Sequence, residues 1–188
     1  MVRAYEARPI EADVLDRVLA AAQRAPSAGN TRGWRLVVLE GAEQTGRYWD
    51  ITLPPANRPD FAFPHLFDAP VLVLPLADPD AYTARYSEPD KAATGLSDQD
   101  VWPVPYWTVD TSFAVMLLLL AAQDEGLGAL FFGVFEDEPA VRRELGIPNG
   151  LQLLGAITLG YPMPGERPGG SADRPKPPPD TVIRRGGW

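Results

Sequence analysis

The sequence predicts a domain of alternating helices and strands, α+β or α/β in class, built on one mixed sheet. Three observations carry this reading. Short apolar stretches rich in Val, Leu, Ile or Phe recur at 34–39, 70–76, 129–135 and 151–159. Between them lie segments whose apolar residues return at helical spacing, most clearly 11–25 and 108–125. The chain has 188 residues, 45% hydrophobic and 22% charged, the length and composition of one packed domain.

In chain order, 11–25 reads as a helix with Asp13 near its start. Val14, Leu15, Val18, Leu19 and Ala22 form one apolar stripe, and Pro26 stops it. Ser27 to Gly33 is a loop and Trp34 to Leu39 a strand. Glu43 to Trp49 is a short helix, Pro54 to Pro64 is irregular, and Pro70 to Leu76 is a fully apolar strand interrupted by Pro75. Asp80 to Tyr86 makes one or two helical turns. Glu88 to Pro105 is a long loop, of the length that active-site lids have. Thr108 to Glu125 is a helix capped by Asp110 or Thr111 and closed by Gly126. It is apolar nearly all round from Phe113 to Ala122, so burial on most sides is expected. At about 1.5 Å per residue it is roughly 27 Å long, enough to cross a domain centre or a dimer interface. Ala129 to Phe135 is a strand, Glu138 to Glu144 a helix, and Leu151 to Leu159 a strand ended by Gly160-Tyr161-Pro162. The domain takes in 1–188, with 163–188 a polar, proline-rich, extended tail.

Composition removes whole classes of function. A formal net charge of −8 argues against a nucleic-acid partner and against an anionic membrane surface. No cysteine is present, so thiolate catalysis, disulfides and cysteine-held metal are excluded. His65 is the one histidine, which excludes a multi-histidine metal site within the chain, and no G-x-S-x-G elbow occurs. The apolar run from Phe113 to Ala122 falls short of the roughly 20 residues a bilayer requires, and the N-terminus lacks a signal pattern. A cytoplasmic protein is expected. Its chemistry would come from a bound cofactor, from carboxylates, or not at all.

Four segments stand out. Pro26-Ser27-Ala28-Gly29-Asn30-Thr31-Arg32-Gly33-Trp34 is a small-polar loop offering N–H groups, a hydroxyl and an amide to the rim of a heterocycle, or else a plain helix-stopping turn. In Gly126 to Phe135, Gly133 permits close approach of a planar ligand, or else marks a kink in an aromatic core. Arg3 at one end and Arg174, Lys176, Arg184 and Arg185 at the other are either a phosphate clamp or solvated terminal charge. Trp102-Pro103-Val104-Pro105-Tyr106-Trp107 either walls a flat pocket or anchors the loop before the long helix.

The order of these segments resembles one family. An Arg-bearing start, a helix, P-S-x-x-N-x-x-x-W-R with a strand, a long loop, a buried helix, G-L-G-A-x-x-x-G, a strand ending L-G-Y-P and a basic tail together look like a nitroreductase. The resemblance spans nearly the whole chain. It implies an α+β fold with a central sheet flanked by helices, two interlocked chains, and two FMN molecules at their interface. By resemblance, Arg3 contacts the FMN phosphate, together with Arg174 and Lys176 of the tail. Pro26, Ser27 and Ala28 lie along the flavin from the partner chain, with Asn30 in the same loop. Phe132, Gly133 and Val134 pack beside the isoalloxazine ring, the Gly133 N–H aimed at the hydride-accepting nitrogen. His65 falls where many members carry a lysine near the pyrimidine edge, a position equally suited to an ordinary surface histidine.

The chain also departs from the family pattern. Its opening Met1-Val2-Arg3 lacks the R-R-S-x-R-like run, Arg32 stands where glutamine is common, and Gly133 replaces a frequent glutamate. The resemblance implies an oxidoreductase that passes hydride from NAD(P)H through FMN to a flat acceptor such as a nitroaromatic or quinone. No catalytic side chain is required for that step. The alternatives are another flavin enzyme on this scaffold, deazaflavin-linked or FMN-fragmenting, and a non-catalytic flavin-binding protein.

Overall fold

The computed structural model describes residues 1–166 and 169–188. Five strands form one sheet: β1 (Trp34–Glu40), β2 (Val71–Ala77), β3 (Gly128–Phe132), β4 (Gln152–Leu153) and β5 (Ala156–Gly160). The order is β1-β2-β5-β3, with β4 also on β2. All seven β2 residues are buried, as befits an apolar strand paired on both sides.

The fold class is α+β, but the sheet is not mixed, because every described pairing is antiparallel. The reason lies in the connections. Glu40, at the end of β1, pairs with Val71, at the start of β2. The helix α2 (Gly41–Thr52) carries the chain away from that point and 53–70 brings it back, so the strand direction reverses. Helix between strands, the pattern read from sequence, does not by itself fix a parallel crossover.

The expected strand 151–159 is split. Between the pairs Leu76↔Leu153 and Val73↔Ile157, the β2 residues Leu74 and Pro75 face three residues, Leu154 to Ala156. This is a β-bulge, placed where Pro75 has no N–H to offer the ladder. Gly155 accommodates it at φ 151°, with the Phe132 carbonyl oxygen standing against the place a Cβ would take.

Alternation along β2 sorts the core into two layers. Val71 and Val73 pack with α1 (Ala12–Ala22) and α4 (Tyr106–Asp124). Leu72, Leu74 and Leu76 pack with Tyr48 and Trp49 of α2 and Val141 of α5 (Glu138–Leu145). Tyr5 is fully buried in this second layer, its hydroxyl 2.9 Å from Thr158 Oγ1 and donating to the Val2 carbonyl at 3.0 Å. α1 ends at Ala22 rather than at 25, finishing in tightened turns in which the Gln23, Arg24 and Ala25 N–H groups bond back three residues.

Two expectations for α4 are corrected. The helix begins at Tyr106, after Pro105, so Asp110 and Thr111 lie inside it and are buried rather than capping it. It is also not buried on most sides of this chain: Phe113, Met116 and Leu120 form a row 46%, 54% and 56% exposed. Its end is as expected, with Gly126 at φ 76° and the Leu127 N–H on the Ala122 carbonyl. By length and composition α4, with mean hydropathy 1.2, is the one helix among the described residues that passes for a membrane span, yet it packs on α1 and the sheet.

The 88–105 loop carries two short turns, Ala92–Thr94 and Gln99–Val101, and is docked by Trp102. That side chain is buried against Tyr82 and Tyr86 of α3 (Pro79–Tyr86), and its Nε1 donates to the Leu96 carbonyl at 3.0 Å. Trp102 is therefore the anchor of the loop. Residues 170–188 are exposed throughout, including the short α6 (Pro179–Val182).

Candidate functional site

The loop 26–33 is a strained turn held from outside. Gly29, Asn30 and Arg32 all have left-handed backbones, at φ 60°, 55° and 53°. For non-glycine residues this costs about 1–2 kcal/mol each. Neighbouring elements offset that cost. The Ala28 N–H donates to Asp110 Oδ2 of α4 at 2.8 Å, and Arg85 Nε of α3 donates to the Gly29 carbonyl at 2.9 Å. The Tyr86 ring fills the space where a Gly29 Cβ would stand.

What the loop leaves free is as informative. The Ser27 Oγ accepts from the Arg32 N–H at 2.9 Å, so its hydroxyl hydrogen remains to be donated. Asn30 Oδ1 accepts from Arg32 Nε at 3.0 Å, which leaves its NH2 group facing solvent on an exposed residue. The backbone of Ala28 is engaged at both ends, since its carbonyl accepts from Thr31 Oγ1 at 2.6 Å. Pro26 is exposed.

The second segment follows β3. Phe132 closes the strand and stacks on Trp49, ring centroids 5.8 Å apart and planes within 5°. Gly133 and Val134 come after the ladder has ended and are half-buried; the expected strand to 135 is thus three residues too long. No acceptor among the described residues takes the Gly133 N–H. Beside it opens an apolar cleft of about 160 Å³, walled by Tyr48, Trp49, Phe61, Leu66, Phe132 and Phe135. Trp49 Nε1 is the one buried side-chain polar atom without a hydrogen-bond partner among the described residues. An aromatic cleft with a free backbone N–H beside it suits a flat ring carrying an acceptor on its edge, which is the chemistry of a flavin.

Arg3 reaches the same region. Its guanidinium stands 5.5 Å from the centre of the Phe63 ring and against Gly169, and its own N–H donates to Glu166 at 2.9 Å. Phe63 meets Phe61 edge-on at 5.9 Å, so a line of aromatic rings joins Arg3 to the Gly133 cleft. Tyr5 sets this geometry: its N–H donates to the His65 carbonyl, tying the N-terminal segment to the 61–68 loop. His65 itself is exposed, its Nδ1 2.9 Å from Asp68 Oδ2. Arg174 and Lys176 lie farther out on the exposed tail.

Within one chain, then, Arg3, Phe132, Gly133 and Val134 gather near His65 on the α2 side. Pro26, Ser27, Ala28 and Asn30 gather on α3 and α4. Phe132 and Val134 pack in one hydrophobic cluster and Ala28 in another. Sequence reasoning missed three residues that shape them: Asp110, taken for a cap; Trp49, hidden in a helix; and Phe135, whose ring lies over Gly133. Only Phe135 gave a signal, as an aromatic residue two positions beyond a glycine.

The chain is similar to known proteins over most of its length. The sequence model described as "Nitroreductase family" matches residues 1–161. A protein of Methanothermobacter thermautotrophicus, provisionally named NADH dehydrogenase/NAD(P)H nitroreductase, is 31% identical over 172 residues, covering 89% of this chain and 74% of that one. A solved structure under the same provisional name, from Parabacteroides distasonis, superposes with a TM-score of 0.67 at 27% identity over 100% of this chain and 92% of the other. An FMN-dependent nitroreductase of Clostridium difficile shares the fold at TM-score 0.66 and 21% identity, over 100% and 94% of the two chains.

Proposed function

Since the chain belongs to the nitroreductase family and is an oxidoreductase of the flavin kind, we propose that it binds FMN and passes hydride from NAD(P)H to a flat acceptor such as a nitroaromatic or quinone. The observation that carries this reading is the unpaired Gly133 N–H at the edge of the aromatic cleft. When bound, FMN supplies the chemistry by taking hydride from one substrate and giving it to the next. The chain's own residues bind and orient. Gly133 offers its N–H to the ring edge, Phe132 and Val134 back the ring, and Ser27 and Asn30 offer the hydroxyl hydrogen and amide that the loop leaves free. Arg3, with Arg174 and Lys176 swung in from the tail, holds the phosphate as charge-assisted donors. His65, with Asp68 on its Nδ1, would add a donor at the pyrimidine edge.

The same reading makes the protein a homodimer. The loop 26–33 and the Gly133 segment sit in different clusters of one chain, and the exposed row on α4 offers an apolar face to a second copy. The loop of one protomer would then reach the flavin of its partner. We take the protein to act in the cytoplasm, with small aromatic substrates and without nucleic acid or membrane. The test is an absorption spectrum of the purified protein. A flavin band that bleaches with NADH or NADPH and returns with a quinone is expected. A protein that stays colourless after incubation with FMN overturns the reading.

A further inference from the structure

Asp110 has no place in the site as the sequence describes it, yet its environment is unusual. It sits in the second turn of α4 with 2% of its surface exposed. A single carboxylate oxygen, Oδ2, accepts two hydrogen bonds of 2.8 Å, one from the Ala28 N–H and one from the Tyr82 hydroxyl. Both partners donate, as an ionised carboxylate requires. Tyr82 is fully buried, and burial, followed by its hydrogen bond to Asp110, pushes its phenol well above the ordinary range, so it stays protonated and donates. The Tyr82 ring also stands where a Gly33 side chain would be and meets Trp102 edge-on at 5.9 Å.

The arrangement is a prop beneath a strained loop. With Gly29, Asn30 and Arg32 all left-handed, the loop has an unfavourable backbone that outside contacts must hold in place. The contact at Ala28 comes from a buried charge rather than from a neutral acceptor. A neutral side chain would satisfy the N–H equally well in geometry. The charge does something more: in a poorly solvated site it acts over several ångströms on whatever lies across the loop.

We propose that Asp110 is a positioning residue for the flavin: it fixes Ser27 to Asn30 in the conformation described above, and its charge beneath that loop would disfavour the negative charge of a reduced flavin bound across it. This rests on the flavin reading above. The carboxylate thereby keeps the bound flavin a stronger reductant than the loop backbone alone would make it.

The test compares three variants with the wild-type dimer, loaded with FMN itself. Asp110→Asn keeps an oxygen for both donors and removes the charge. FMN affinity within threefold of wild type is expected, together with three- to tenfold tighter holding of reduced relative to oxidised flavin. For a two-electron couple that is a rise of about 15–30 mV in potential. Asp110→Ala removes prop and charge, and affinity should fall more than tenfold. Tyr82→Phe removes one donor but keeps the charge, so the potential should stay at the wild-type value. An Asp110→Asn protein that binds FMN at an unchanged potential overturns the proposal. So does an Asp110→Ala protein that binds FMN as tightly as wild type. A wild-type protein that takes up no FMN would instead sink the flavin reading itself, before any variant is compared.

Discussion

The ring of Phe135 lies against the α-carbon of Gly133, so that a Cβ added there would come within 2.7 Å of the ring's Cζ. Phe135 is nevertheless 88% exposed, with few contacts to hold it. The ring is therefore a movable cover over the backbone face that the flavin is proposed to use. Phe135→Ala should strengthen FMN binding several-fold and leave thermal stability within about 0.5 kcal/mol. Gly133→Ala should do the reverse to binding: the exposed ring swings aside at little cost, while the new methyl group keeps a flat ligand off the N–H. Fluorescence titration with FMN beside a melting curve separates the two effects. Equal FMN affinity in all three proteins would remove Gly133 from the site.

Gly155 acts on the same segment from behind. Its φ of 151° is one that glycine alone adopts readily, and the nearest atom to an added Cβ is a backbone oxygen, that of Phe132. Unlike the Phe135 ring, a backbone oxygen in a paired strand cannot move aside. Gly155→Ala should cost about 3 kcal/mol, a fall of roughly 6–12 °C in melting temperature for a chain of this size. A melting point unchanged by the substitution would show that the bulge relaxes freely and does not fix Phe132.

These two glycines mark where the sequence was legible and where it was not. Gly133 stands out through the ordered motifs around it, which match the family; a glycine between aromatic residues marks a strand kink as readily as a close approach. Gly155 lies in a run that reads as one strand, and the bulge depends on Pro75, which is remote in sequence and adjacent only once β2 and β4 pair. Asp110 was misread for a similar reason. Near a helix start an aspartate is usually a cap, and its partners Tyr82 and Ala28 meet it only through tertiary packing. Four apolar runs locate the five strands, β4 and β5 sharing one run, but the direction of β2 depends on where 53–70 returns the chain, which no local pattern records. On α4, an all-round apolar composition does not distinguish the residues buried in the chain from those left exposed.

That last ambiguity yields a prediction. Phe113, Met116 and Leu120 are exposed on one face of α4, whereas Ala114, Val115 and Leu118 are buried on the other. Charged residues at Met116 and Leu120 should leave the fold of each chain intact, because those side chains contribute little to its own core. Met116→Glu with Leu120→Glu should halve the mass measured by light scattering and abolish FMN binding, since loop 26–33 would no longer meet the Gly133 segment of a partner. Leu118→Ala, by contrast, should cost about 2–5 kcal/mol in the core. A wild-type protein of monomer mass would exclude the dimer, and a doubly charged variant that remains dimeric would move the interface off α4.

Stability should also fall steeply in alkali, and the reason lies in three phenols. Tyr5, Tyr48 and Tyr82 are each 1% exposed or less. Burial is the leading cause that pushes all three well above the ordinary tyrosine range near 10. In the unfolded chain the same groups ionise near pH 10, so between that pH and their folded values the native state holds the more protons. The stabilising difference is fully present below pH 10 and is lost as pH rises beyond it. Each phenol contributes a slope of about 1.4 kcal/mol per pH unit, and three give a loss of about 4 kcal/mol per unit. Urea unfolding at intervals from pH 9 to pH 11.5 measures this directly. Tyr48→Phe should remove about a third of the slope, as it deletes one titrating group and keeps the ring. Tyr5→Phe should do the same while lowering stability at neutral pH by about 1 kcal/mol for the lost hydrogen bonds to Thr158 and Val2. A slope that neither substitution changes would mean that these phenols reach solvent in the native chain, and that Tyr5 does not hold the segment carrying Arg3 in the way its hydrogen bonds imply.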